Sequence, residues 1–166
     1  MMKITQKVLL GMILALLITG KVTAQSELNK KETMTSKETV NAFFTAFGNG
    51  NYQGILDVFD PEVEIMAVRK APVASGELYG SYEGIEGLKA FLTNMGNVFD
   101  TKAFSVEHVI GEGNVAFANG TFAHEIKPTG KLYSSAWSLM CEVEDGKITV
   151  YRFYEDTAKY EEASEK

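Results

Sequence analysis

"AWSLMCEVEDGKITVYRFYEDTA", residues 136–158, decides the fold. Asp145-Gly146 sits between two alternating runs, the residue pair that favours a two-residue β-hairpin turn. Successive strand side chains point to opposite faces. Trp137, Leu139, Cys141 and Val143 therefore share one face of the first strand. On the second strand Tyr151, Phe153 and Glu155 share a face, and Val150, Arg152 and Tyr154 share the other. Asp156 precedes "TAKYEEA" and reads as the N-cap of a last helix.

Further strand-like runs precede the hairpin at 102–110 and 114–125, and the hairpin strands extend over 131–143 and 147–155. The separators "GEGN", "KPTG" and "EDGK" are turn-like. Upstream, Val40, Phe43, Phe44 and Phe47 recur at the spacing of an amphipathic helix. Thr35 and Glu38 have capping-box spacing before it, and Gly48 and Gly50 end it. Asn51 caps a second short helix carrying Tyr52, Ile55, Leu56 and Phe59. "EVEIMAV", 62–68, reads as a strand, residues 69–83 as a long loop, and "GIEGLKAFLTNMGNVF" as a third helix. Helices grouped first and strands grouped last argue for an α+β domain: N-terminal helices packed against a curved, mainly antiparallel sheet.

Residues 1–24 have the pattern of a secretory leader. Lys3 and Lys7 precede the apolar "VLLGMILALLITG", and "VTA" supplies small residues for cleavage. The apolar run is short for a membrane span, which needs about 20 residues. The expectation is an exported protein, periplasmic or secreted, with a flexible lead over 25–35 and one domain over 36–166. Removing the leader takes away three lysines and no acid, so a formal charge of −6 becomes −9. Such a domain is poorly suited to nucleic acid or an anionic membrane surface. A single cysteine, Cys141, excludes an internal disulfide.

The order of elements resembles the cone-shaped α+β family that includes nuclear transport factor 2, ketosteroid isomerase and the SnoaL-like polyketide cyclases. The carriers are "GNGNYQGILDVFDPEVEI", "YGSYEGIEGLKAFL" and "AWSLMCEVEDGKITVYRFYEDTA". The resemblance covers about residues 36–160. It implies a pocket between helices and sheet, and a homodimer through the open sheet face to which Tyr151 and Phe153 would contribute. The fold hosts enzymes, carriers and interaction modules, so it does not by itself assign an activity. Ketosteroid isomerase chemistry needs an Asp base with Tyr and protonated Asp donors. The resemblance places those positions on Ala67, Phe43 and Leu139, or Ser138 for the last. None carries the required group, which argues against that reaction.

What remains are polar handles in an apolar pocket. Arg152 and Tyr154 are placed in the open end of the cone, where a guanidinium suits an anionic ligand. The alternative is an internal pair between Arg152 and Asp156 or Glu64. Ala67, Phe43, Trp137, Leu139 and Tyr154 would line the pocket, the usual make-up of a small-molecule site. Asn119 reaches it as an amide donor or lies at a bulge with Gly120. His108 and His124 lack metal-ligand spacing and read as solvent-facing. No metal or cofactor is expected. Three readings stay open: a carrier of a small apolar or weakly acidic molecule, an enzyme acting through Arg152 and Tyr154 with Asp156 or Glu64, and an interaction module.

Overall fold

The computed structural model describes residues 33–74 and 77–165. The expected leader, and the lead up to residue 32, lie outside the described residues. The chain runs α1 (Ser36–Gly48), α2 (Tyr52–Asp57), β1 (Phe59–Ala67), β2 (Gly80–Glu83), α3 (Gly84–Val98), β3 (Phe99–Glu112), β4 (Val115–Ile126), β5 (Lys131–Glu144), β6 (Lys147–Glu155) and α4 (Thr157–Ser164). This is the α+β cone that the sequence implies.

Local signals set the element ends. Thr35 accepts from the Glu38 backbone N–H while the Glu38 carboxylate accepts from the Thr35 N–H, a complete capping box. Asn51 caps α2 through the Gly54 N–H. Asp145 and Gly146 both adopt positive φ, as a tight hairpin requires. Asp156 caps α4 through the Lys159 N–H.

The six strands form one sheet in the order β2-β1-β6-β5-β4-β3. Strands β3 to β6 are the expected antiparallel meander. Two features were not legible. Residues 80–83, within the stretch read as loop, form β2 and pair antiparallel with β1. Strand β1 pairs parallel with β6, setting Ile65 beside Tyr151 and Ala67 beside Phe153. The inner face therefore carries Val63, Ile65 and Ala67 of β1, Phe122 of β4, Trp137 and Leu139 of β5, and Tyr151 of β6, all buried. Helices α1 and α3 close over it: Val40 and Phe43 are buried from α1, Leu88 and Phe91 from α3. Among the described residues no helix is long and apolar enough to cross a membrane.

Candidate functional site

The site begins with an interruption in the hairpin. An unbroken two-residue hairpin would set Leu139 opposite Arg152 and Trp137 opposite Tyr154. In the structure Val143 pairs with Ile148 but Glu142 pairs with Val150, leaving Thr149 as an extra residue. That bulge shifts every later pair by one, and a one-residue slip turns each side chain to the other face. Leu139 now faces Phe153, and Trp137 faces Glu155. So Tyr151, Phe153 and Glu155 point into the cone. Arg152 and Tyr154 stand on the outer face, with Arg152 between Met66 of β1 and Met140 of β5. The expectation that Arg152 and Tyr154 enter the pocket is corrected. The alternative partners are not made either: among the described residues Arg152 bridges neither Asp156 nor Glu64. The dimer-face expectation changes with it. Tyr151 and Phe153 are inside, and the exposed aromatics of the open sheet face are Phe117 and Tyr154.

Between helices and sheet lies a cavity of about 50 Å³. Phe43, Phe44 and Phe47 of α1 wall one side, Leu88, Phe91 and Leu92 of α3 another, and Ile65, Ala67, Tyr151 and Phe153 the floor. Phe43 meets Phe59 and Tyr151 edge-on, at centroid distances of 5.6 and 5.8 Å, a favourable aromatic geometry. Of the expected lining residues, Phe43 and Ala67 are in the wall. Trp137 and Leu139 lie one layer behind it. The Trp137 ring stacks on Phe104 and Phe153, at 5.1 and 5.7 Å, and so supports two lining rings. Asn119 faces outward, where its Oδ1 meets His108 Nδ1 at 3.1 Å. The bulge near Gly120 is on the partner strand, between Val106 and His108.

The wall is apolar except at four side chains: Tyr79, His124, Tyr151 and Glu155. Tyr79 donates its hydroxyl hydrogen bond to Glu155 Oε1. Burial pushes the Glu155 carboxyl up to about 8, because a low-polarity surrounding penalises the charged form. Burial also pushes the Tyr151 hydroxyl upward. The loop that carries Tyr79 begins at Val68, a β-branched residue at φ 68° on the cavity rim. The Arg69 N–H donates to the Ala67 carbonyl across it at 2.8 Å. Such a conformation costs on the order of 1–3 kcal/mol and collects at functional sites.

His124 is the residue most misread from sequence. It is buried, not solvent-facing, sandwiched between Phe99 and Phe122 at 4.6 and 4.2 Å. The signal was its alternation with Phe122 and Ile126, both buried on the same face. Its Nδ1 has no hydrogen-bond partner, and burial lowers it to about 4. A buried neutral imidazole stabilises the fold above the ordinary His range, and that contribution is lost as pH falls towards about 4. His124→Phe is expected to remove this sensitivity. Urea unfolding at about pH 7 and about pH 4.5 should show the variant losing less stability than the parent, by up to about 1.4 kcal/mol per pH unit.

Comparison with known proteins places the chain. No curated protein matches it. Solved structures share the fold. An NTF2-like protein from Burkholderia xenovorans is 23% identical, with 81% of this chain and 98% of that one covered, at a TM-score of 0.68. A candidate polyketide cyclase from Pseudomonas putida is 19% identical, covering 78% and 98%, at 0.65. TerC, crystallised with polyporic acid, is 22% identical, covering 77% and 96%, at 0.66. Residues 40–151 match the SnoaL-like domain, and the chain belongs to that family.

Proposed function

We propose that this protein binds a small apolar molecule in the cone cavity, with the hydrogen-bonded pair Glu155 and Tyr79 as its polar handle and Tyr151 and His124 as further polar groups in the wall. The observation that carries the reading is the cavity wall itself: aromatic and aliphatic on all sides, with polar groups confined to four side chains. Such a wall is the usual form of a small-molecule site. A volume of about 50 Å³ holds a few waters, so a ligand enters by displacing side chains. Phe47, Leu92 and Met95 are lining residues that are only partly buried and able to turn. Methionine is well suited to such repacking. TerC, which shares the fold, was crystallised with a small organic molecule, polyporic acid. The weakly acidic part of the expected ligand class depended on Arg152 and goes with it. Export through the leader-like residues 1–24 belongs to the same proposal.

Acetophenone is a fitting probe, being small, apolar and equipped with one carbonyl. At about a hundred times its dissociation constant it is expected to stabilise the protein by about 2.7 kcal/mol, a rise in Tm of several degrees. Arg152→Ala should keep that rise. Ala67→Leu should abolish it, because the added carbons occupy the cavity, while the unliganded protein still melts cooperatively. A rise lost in Arg152→Ala and kept in Ala67→Leu would place binding on the outer face instead.

A further inference from the structure

We infer that the cavity, lined by no cation among the described residues, admits only uncharged molecules and that Glu155 controls their binding, holding a ligand while its carboxyl carries a proton and releasing it when the carboxyl ionises. The inference rests on the binding role proposed above and names its ligand class and its control.

The first argument is the missing counter-charge. Among the described residues no Lys or Arg lines the cavity, and the β6 guanidinium is turned to the outer face beside Met66 and Met140. An anion entering would lose its hydration with no cation to replace it, a cost of several kcal/mol. Uncharged ligands avoid that cost.

The second argument is the donor inventory. Tyr79 spends its hydrogen on Glu155 Oε1, and Oε2 is left without a partner among the described residues. A protonated carboxyl offers a donor there; an ionised one offers only acceptors. A ligand carbonyl is therefore held in the first state and repelled in the second, as the proton leaves to solvent.

The third argument is the absence of a competing titration. Tyr79, from the loop before β2, hydrogen-bonds Glu155, and the other titratable groups of the wall are His124 of β4 and Tyr151, four residues back on β6. Strand β5 contributes Trp137, which does not titrate, and Tyr133, whose hydroxyl donates to the Asp156 carbonyl and is pushed up to about 12 by burial. Helix α4 contributes Tyr160, whose ring lies 4.5 Å from that of Tyr79. Beyond them Arg69 is paired with Glu77 at 2.7 Å, and Asp156 is turned away to cap α4. His124 is neutral down to about 4, and burial moves Tyr151 upward. With the Glu155 carboxyl raised to about 8 by burial, it is the group lining the cavity whose charge changes between about pH 6 and about pH 9.

Acetophenone and benzoate, nearly equal in shape and different in charge, test this by calorimetric titration of the protein at both pH values. The competent fraction at about pH 9 is about a tenth, so acetophenone should bind about tenfold more weakly there than at about pH 6. Benzoate should not bind at concentrations that saturate with acetophenone. In Glu155→Gln the ratio of acetophenone affinities at the two pH values should be close to one. Benzoate binding within about threefold of acetophenone, or an acetophenone affinity in the parent protein that does not move with pH, overturns the charge filter and leaves pocket binding intact. The benzoate comparison needs no variant, so a misfolded Glu155→Gln does not shelter the inference. If acetophenone fails to bind up to its solubility limit, pocket binding itself falls and the filter with it.

Discussion

Gly120→Val is expected to unfold the sheet on its β3 side. A Cβ at position 120 would stand 1.9 Å from the Ser105 carbonyl oxygen and 2.7 Å from Cζ2 of Trp137. The first contact is with backbone, which cannot rotate away. Strand β3 approaches so closely because its register slips between Val106 and His108, and a bulge bends the strand that carries it. Valine adds two further carbons to an impossible position. The cost should exceed about 4 kcal/mol, in the range reserved for severe core defects, against a total of about 5–15 kcal/mol for an ordinary domain. Urea unfolding monitored by Trp137 fluorescence would report it. A loss below about 1 kcal/mol would mean that β3 is free to move off β4. The effect should reach the cavity as well, since Trp137 backs Phe104 and Phe153, both lining rings.

Phe43→Ala is expected to cost about 3–5 kcal/mol, the usual penalty for emptying a buried phenylalanine site. Phe43 is 5% exposed and its ring meets Phe44, Phe47, Phe59 and Tyr151 at centroid distances of 5.1 to 6.0 Å. The same truncation enlarges the cavity, so an apolar ligand no longer has to displace wall side chains. The variant should therefore be less stable alone and gain more from acetophenone than the parent does. Thermal melts with and without ligand measure both halves. A variant destabilised by less than about 1 kcal/mol would show that α1 does not close the cavity through this ring.

The sequence revealed what local chemistry controls. The Thr35–Glu38 box, the Asn51 and Asp156 caps and the Asp145-Gly146 turn each depend on residues within a few positions, and all four form. The alternation of "YRFYE" was also readable: Tyr151, Phe153 and Glu155 do share a face. Which face turns inward was not. That depends on one unpaired residue, Thr149, in a run whose composition gives no sign of a bulge. It depends also on the parallel pairing of β6 with β1, more than eighty residues distant. Charge was a misleading guide here. The guanidinium looked like the pocket's handle, yet it faces Met66 and Met140 outside, while a carboxyl that ends the strand is the group held within. His124 differs for another reason: its missing metal-ligand spacing says nothing of burial, whereas its alternation partners Phe122 and Ile126 are core residues. β2 escaped notice because four residues flanked by glycine carry little periodicity.

The most direct measurement is the position of bound acetophenone by intermolecular nuclear Overhauser effects. Binding inside the cone predicts contacts from its ring to Phe43, Ile65, Leu88 and Tyr151, all in the cavity wall. Contacts confined to the Met66 and Met140 methyl groups beside Arg152 would put the ligand on the outer face and contradict the interior site.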